Sequence, residues 1–310
     1  MKDNKRSIPK PIVKWLGGKS QIIDKLITDF PLEINNYHEP FLGGGSVLLA
    51  LLSYVKSGAI KIHGNIYACD LNEPLIYMYK NIQTQHNSLY DTLKTLIVDY
   101  KECERERETK EAYYYLTRSR YNNLSLEGKK SILGSAMFIF LNKTGFRGMF
   151  RVGPNGFNVP YGHYSNPEII NKEHLDIVHN LIQGVIFECC DFTVSLMRPI
   201  VASSGSSGSS GSGDHSDFLY IDPPYAPETT TSFVGYTEKG FNIENHNKLF
   251  GLIHDLTYAN YKVMLSNADV SLVRSNFTKD RYHTTPILCK RSINSKNPDA
   301  KAKEVIIMNY

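Results

Sequence analysis

One pattern recurs along much of the chain: a short apolar run, a loop, then a longer stretch with apolar residues on one helical face. The short runs fall at roughly Asn36–Pro40, Asn65–Asp70, Val185–Cys190, Asp217–Asp222, Tyr261–Ser266 and Glu304–Tyr310. Their β-branched and aromatic residues, each run ending in a loop, predict buried strands. Helical periodicity predicts helices over Gly45–Lys56, Asn72–Ile82, Glu168–Ile182 and Ile243–Tyr258. Ser20 is placed to cap another, which carries Ile22, Ile23, Leu26, Ile27 and Phe30 on one face. Strands alternating with helices imply an α/β fold with a mostly parallel sheet covered on both faces.

The segment from Gln83 to Ser165 breaks the alternation. It holds the charged stretch YKECERERETKEAYYYL, which reads as a solvated helix face, and then FLNKTGFRGMFRVGPNGFNVPYGHY. Gly153-Pro154-Asn155-Gly156, between FRGMFRV and FNVPY, predicts a hairpin turn. An inserted domain presenting a basic, aromatic hairpin is the natural reading.

Composition narrows the class. Apolar residues make up 41% of the 310, enough to bury a full core. The longest apolar runs, such as Val47–Leu52, fall far short of a membrane span. The N-terminal MKDNKRSIPKP is polar and broken by prolines, unlike a signal peptide. Five cysteines without a CxxC pair read as reduced thiols of an intracellular protein and not as a metal site. The net charge of +4 identifies no partner, but its distribution does more. From Ala112 to Ser165 seven basic residues stand against one acid, and from Lys279 to Tyr310 seven stand against three. Such concentration attracts a phosphate backbone, although on charge alone an ordinary solvated basic face explains it equally well.

Three motifs bear on chemistry. In KWLGGKSQ, Gly18-Lys19-Ser20 suggests a phosphate loop, but Val13 stands where that loop requires its first glycine. In EPFLGGGSVLLALL a strand runs into three glycines and then a helix, a geometry that admits a ligand to the main chain at a helix N-terminus. A second strand ends in Asp70, placed to accept hydrogen bonds from ribose hydroxyls. Together these suggest an adenosine-type cofactor. NAD is disfavoured because Leu48 occupies the third glycine position of its fingerprint. The third motif, LYIDPPYAP, sets a carboxylate, two prolines and an aromatic just past a strand end, where open α/β sheets bind ligands. Pro223 and Pro224 fix the backbone and have no N–H, leaving carbonyls to accept hydrogen bonds. Asp222 and the Pro223 carbonyl can take the two hydrogens of an exocyclic amine, and Tyr225 offers a face for its ring. The plainer reading of DPPY is a rigid proline turn.

In order and spacing, KWLGGK, EPFLGGGS, CDLN, GFRGMFRV with FNVPYG, CCDF, DPPYAP, FVGYTEKGF (Phe233, Tyr236, Phe241), LSNAD and KRSINS resemble the Dam-type DNA adenine-N6 methyltransferases, which use S-adenosylmethionine. The resemblance covers nearly the whole chain. It implies a Rossmann-like methyltransferase sheet with an inserted, mainly helical target-recognition domain carrying a β-hairpin. The catalytic parts would be residues 1–82 and 166–310, and the recognition domain 83–165. It implies cofactor contacts from Trp15, Lys19, Phe41, Gly43, Gly45, Ser46, Asp70, Asp191, Phe192 and Asp222. Asp222, Pro223, Pro224 and Tyr225 would bind and stack a flipped adenine, with S-adenosylhomocysteine as product and no metal. Lys14, Lys143, Phe146, Arg147, Met149, Arg151, Pro160 and Tyr164 would contact double-stranded DNA, Arg151 reading a guanine and Phe146 wedging into the base stack. Arg147 stands where the family has asparagine, His163 where it has arginine, and Leu16 where it has alanine; GATC is the favoured target.

Two other readings remain: an RNA or N4-cytosine methyltransferase, and a catalytically silent DNA-binding module. Intact DPPY, the glycine loop and the hairpin weigh against both. A monomer acting inside the cell, with access to DNA and not at a membrane, is expected. The Ser/Gly tract 203–213 reads as a flexible surface linker within the second catalytic part, and its regularity suggests an engineered segment that replaces a disordered loop or fuses two natural pieces.

Overall fold

The computed structural model describes residues 8–103, 109–205, 216–227, 240–290 and 301–310. Most of the Ser/Gly tract, Phe233, Tyr236 and most of KRSINS lie outside them. Among the described residues the principal helices are α1 (Ile23–Thr28), α2 (Ser46–Lys56), α3 (Glu73–Glu102), α4 (Lys110–Asn123) and α5 (Leu126–Lys130). They are followed by α6 (Ile132–Thr144), α7 (Lys172–Leu181), α8 (Phe192–Gly205), α9 (Ile243–Tyr258) and α10 (Ser271–Asn276). The main sheet consists of β1 (Tyr37–Glu39), β2 (Ile66–Asp70), β3 (Val185–Cys189), β4 (Phe218–Ile221), β5 (Lys262–Ala268), β6 (His283–Lys290) and β7 (Lys301–Met308).

Across the sheet the order is β3-β2-β1-β4-β5-β7-β6. The pairs among β3, β2, β1, β4 and β5 are all parallel, and β7 runs antiparallel to both β5 and β6. The sheet is therefore the mostly parallel one expected, and its strand order reverses direction between β1 and β4. Such a reversal is where α/β sheets open a crevice beyond the strand ends.

The chain forms two compact units. One comprises Asp24–Leu42, Ser57–Leu71 and Gly184–Tyr310 and contains the sheet. Alternation along the strands sends Leu219, Ile221, Val263, Leu265, Val305 and Ile307 to one face. There they pack on Leu196 of α8, Leu249, Phe250, Ile253 and Leu256 of α9, and Val273 of α10. On the opposite face Phe30 meets Phe218 edge-on at 4.7 Å and lies 5.8 Å from Tyr220. Both faces are thus covered, as buried parallel strands require.

The other unit comprises Met1–Ile23, Gly43–Lys56 and Asn72–Gln183. Here α3 packs against α4, α5, α6 and α7, burying Leu89, Leu93, Leu96 and Tyr100. Side-chain caps start most of these helices: Asn72, Thr109, Ser125, Ser131 and Asn171 each accept from a backbone N–H three residues on. The predicted hairpin is present, with Val152–Gly153 paired antiparallel to Gly156–Phe157, and Gly156 takes the left-handed turn at φ 90°.

Three expectations need correction. Ser20 does not cap a helix; it lies inside a short 3₁₀ turn, Lys19–Gln21, that follows Gly18 and has no side-chain cap. The helix expected to end at Ile82 continues to Glu102 across a break at Gln85 (φ −143°, ψ 37°), because the apolar repeat resumes at Leu89. The charged stretch is not one helix, since α3 ends at Glu102 and Thr109 caps a new one. Strand β6 was not expected, for Pro286 demotes its sequence. It is the edge strand, where a missing N–H is tolerated.

Asp217, immediately before β4, is buried and accepts from Asn35 Nδ2 (2.6 Å), Asn36 N (3.1 Å) and Asn36 Nδ2 (3.0 Å), with His38 Nε2 at 3.2 Å. Burial alone would raise its pKa. The His38 contact and the Asn35 and Asn36 hydrogen bonds outweigh that and hold it below the usual carboxylate range. A lowered folded pKa gives stability that is present above the unfolded value and lost as pH falls through the folded one. Asp217→Asn is therefore expected to cost roughly 2–3 kcal/mol near neutral pH. The deficit should shrink as pH drops below about 4. Denaturant titrations at both pH values check this, and a pH-independent deficit would contradict it.

Candidate active site

In the sheet-containing unit, β4 is buried at every position and ends where the chain leaves as Asp222-Pro223-Pro224-Tyr225. Neighbouring β1 ends in Glu39, and β2 beside it ends in Asp70. Three parallel strands thus end in three carboxylates around the switch point. Glu39 is 1% exposed. Its pKa is pushed well above the usual range by burial, and the negative charges of Asp222 and Asp70 add to the push. The Tyr37 hydroxyl, which donates to Glu39 Oε2 at 2.8 Å, works the other way. Sequence reasoning assigned Glu39 no role, although its place before the glycine loop is a usable signal.

The DPPY corner is fastened to two further strands. Tyr225 Oη lies 2.7 Å from Glu304 Oε2 on β7 and 2.8 Å from Ser266 Oγ on β5. The Ala226 N–H donates to Asn267 Oδ1 at 2.9 Å. Burial, followed by the charges of Asp222 and Glu304, raises the Tyr225 phenol well above its ordinary pKa, so it stays a hydrogen-bond donor. Nearby in sequence, Asp191 Oδ1 accepts from the backbone and hydroxyl of Thr193 (2.9 and 2.7 Å) at the start of α8. Phe192, Phe41 and Phe241 form an aromatic group with centroids 5.5–5.9 Å apart. Aromatic faces beside fixed carboxylates suit a nucleoside, and these residues fit an adenosine-type cofactor on that ground.

The same unit groups residues that sequence reasoning left apart. Cys69, Glu188 and Cys190 bring their ligand-type atoms within 4.8 Å of one another. Cys69 lowers the Cys190 pKa by hydrogen bonding, and Arg198 pairs with Glu188. A guanidinium already on the carboxylate makes this a poor seat for a second cation.

In the helical unit the glycine loop is shaped by its neighbours. Gly43 and Gly45 sit at φ 51° and 77°. A Cβ on Gly45 would lie 2.5 Å from Tyr79 Oη, which donates to the Gly44 carbonyl at 2.7 Å. Trp15 lies against the same loop, 3.0 Å from a Cβ built on Gly43 and 2.9 Å from one on Gly44. The backbone N–H of buried Lys19 donates to Ser46 Oγ at 3.2 Å, and Lys19 Nζ donates to the Gly17 carbonyl at 2.8 Å. Trp15, Lys19, Gly43, Gly45 and Ser46 are therefore brought together, in a cradle where only glycine leaves room.

The expected DNA contacts in this unit form a second knot. Asn142, 2% exposed, accepts from Lys14 N (2.8 Å) and donates to the carbonyls of Lys14 and Gly148 (both 2.9 Å). Lys14 Nζ stands 4.3 Å over the Tyr164 ring, and Tyr164 Oη accepts from Arg147 N at 3.0 Å. Phe146 N donates to the Pro160 carbonyl, and Met149 N to the Phe146 carbonyl. Phe146 itself is 42% exposed. Arg151 is exposed on the hairpin, with Nε and Nη2 donating to Asn158. Lys143 is half-buried, and burial, then Lys14, lowers its pKa. Arg147 and His163, two of the three departures from the family pattern, both adopt left-handed backbone (φ 56° and 52°).

The open parallel sheet with its acidic switch point and its neighbouring aromatic group is the frame of a Rossmann-like enzyme for an adenosine-type cofactor. Comparison with known proteins narrows this. The profile of the D12 class N6 adenine-specific DNA methyltransferases matches residues 15–291, and the chain belongs to that family. It is 32% identical over 311 positions to the type II methyltransferase M.MjaIII of Methanocaldococcus jannaschii, covering 97% of this chain and 99% of that one. It is 28% identical to the type II methyltransferase M1.LlaDCHI of Lactococcus lactis subsp. cremoris (97% and 95% covered). To the DNA adenine methylase of Haemophilus influenzae it is 27% identical (96% and 92% covered). The chain is thus an adenine-specific DNA methyltransferase, and the methyl donor of its family is S-adenosylmethionine. The silent-module and N4-cytosine readings fall away. No helix among the described residues is long and apolar enough to cross a membrane.

Left-handed backbone suits asparagine better than arginine. Arg147→Asn is therefore expected to stabilise the protein by about 0.5–1 kcal/mol, measured by urea unfolding. A loss of stability would show that the arginine side chain offsets the strain.

Proposed function

We propose that the chain methylates N6 of an adenine flipped out of duplex DNA at the DPPY corner, with GATC as the favoured sequence. In this reading residues 83–165 are the target-recognition domain, residues 1–82 and 166–310 the catalytic parts, and 203–213 a surface linker. The protein acts as a monomer inside the cell, without a metal. The observation that carries the reading is the placement of Asp222-Pro223-Pro224-Tyr225 just past β4, at the switch point.

S-adenosylmethionine supplies an electrophilic methyl group. The remaining work falls to the chain. Asp222 and the Pro223 carbonyl accept the two amine hydrogens. That draws the nitrogen lone pair out of conjugation with the ring, and the carboxylate offsets the positive charge that develops on nitrogen. Pro223 and Pro224 keep both acceptors rigid, and Tyr225 stacks on the base. Most of the rate would come from orientation and electrostatic complementarity. Trp15, Lys19, Phe41, Gly43, Gly45, Ser46, Asp70, Asp191, Phe192 and Asp222 are the residues proposed to contact the cofactor. Lys14, Lys143, Phe146, Arg147, Met149, Pro160 and Tyr164 would place the duplex, with Arg151 on a guanine edge.

Transfer of a labelled methyl group from S-adenosylmethionine to duplex DNA, followed by single-base mapping of the product, tests the reading. Asp222→Ala should lower the single-turnover rate at least 10²–10³-fold while cofactor affinity stays within about tenfold, a loss of no more than ~1.4 kcal/mol. A rate near wild type would remove Asp222 from the mechanism. Arg151→Ala should relax discrimination at one base of the site, a difference of about 1–3 kcal/mol. Uniform weakening on every sequence would instead make Arg151 a phosphate contact.

A further inference from the structure

The tyrosine of DPPY is held from outside its own motif. A phenol has one proton to give and a carboxylate only accepts, so Tyr225 Oη donates to Glu304 Oε2 (2.7 Å) and Ser266 Oγ donates to Tyr225 Oη (2.8 Å). The strand register explains how both partners reach it. Ser266 pairs with Ile306 and Ala268 with Glu304 across β5 and β7, so Ser266 and Glu304 point to the same face of the sheet. Ser266 is fully buried, and β7 enters antiparallel between β5 and the edge strand. Of the strands next to β5, β7 is the one that presents Glu304 to the DPPY corner. A ring fixed at its hydroxyl by two strands has one orientation, whereas the proline backbone alone leaves it free to turn about the side-chain bonds.

We propose that Glu304, with Ser266, is a positioning residue for methyl transfer: it sets the Tyr225 ring in the plane on which the target adenine stacks. The proposal rests on the reading of Tyr225 as that stacking face. A positioning residue acts through the Tyr225 ring alone, so removing Glu304 should slow the chemical step without weakening cofactor binding.

The test uses the full chain with Tyr225→Phe, Glu304→Ala, Glu304→Gln, and the double variant Tyr225→Phe/Glu304→Ala. Single-turnover methyl transfer to an adenine-containing duplex is measured beside S-adenosylmethionine affinity and thermal melting. Loss of a hydrogen bond to a charged group predicts a rate reduction on the order of tenfold in Tyr225→Phe and in Glu304→Ala. The double variant should be no slower than the slower single one, since the two residues act through one bond. Glu304→Gln should recover most of the rate, because its side-chain oxygen still accepts. Cofactor affinity should be unchanged in all four.

Losses that multiply in the double variant would overturn the proposal, as would a wild-type rate in Glu304→Ala. Should Glu304→Ala not fold, Tyr225→Phe decides, and a wild-type rate there also overturns it. Tyr225→Ala separates the proposal from the reading beneath it. A wild-type rate in that variant removes the stacking role itself. A slow Tyr225→Ala beside a fast Glu304→Ala removes only the role of Glu304.

Discussion

The sheet, and with it the DPPY corner, depends on one buried carboxylate at the opposite end of β4. Asp217 gathers the Asn35 and Asn36 amide donors and His38 into a single knot. Those partners lead into β1, so the knot fixes how β1 and β4 lie beside each other as both begin. Tyr37 then pairs with Phe218 and His38 with Leu219. In a strand buried on both faces, a slip of one residue would exchange Phe218 and Tyr220 for Leu219 and Ile221. The aromatic packing around Phe30 and the aliphatic packing on α8–α10 could not both survive it. Register set at the start of β4 determines what emerges at its end, four residues later, as Asp222.

What emerges there is unfavourable in isolation. Glu39, Asp70 and Asp222 stand at adjacent strand ends, and burial together with mutual repulsion drives Glu39 towards its neutral form. Sites that gather like charges sacrifice stability for chemistry. At Glu39 the fold answers with a donor, the Tyr37 hydroxyl. The same logic applies on β7, where Glu304 is occupied by the Tyr225 hydroxyl.

Strands β1 to β5 and β7 were legible because each is a short β-branched or aromatic run ending in a loop, and the glycine loop and DPPY followed from their places at strand ends. What escaped was either locally contradictory or long-range. Pro286 masked β6, and the polar turn around Gln85 hid the second half of α3. Ser20 looked like a cap, but Gly18 already opens the turn. Asn142 and Lys14 are 128 residues apart, and Tyr225 and Glu304 79 apart. Nothing in either neighbourhood marks such a partner, since a buried asparagine on a helix and a glutamate on a strand read locally as poor choices for their positions. Residues that defy local preference are where long-range function was concealed.

The turn Phe146–Gly148 carries that argument to the proposed DNA surface. A left-handed arginine persists only where the surroundings over-determine the backbone, and here they do. Phe146 N is held by the Pro160 carbonyl, Arg147 N by Tyr164 Oη, Gly148 N by the Gly145 carbonyl, and the Gly148 carbonyl by Asn142 Nδ2. A Cβ on Gly148 would meet Lys14 Cβ at 2.4 Å, so the turn also seats the Lys14 segment at a distance only glycine permits. With the main chain held this firmly, substitution at position 147 alters the side chain presented while the turn itself stays in place. A chain with asparagine there and one with arginine can then share one turn and differ in the side chain it presents. Position 147 is thus one where the side chain presented can change without rebuilding the turn.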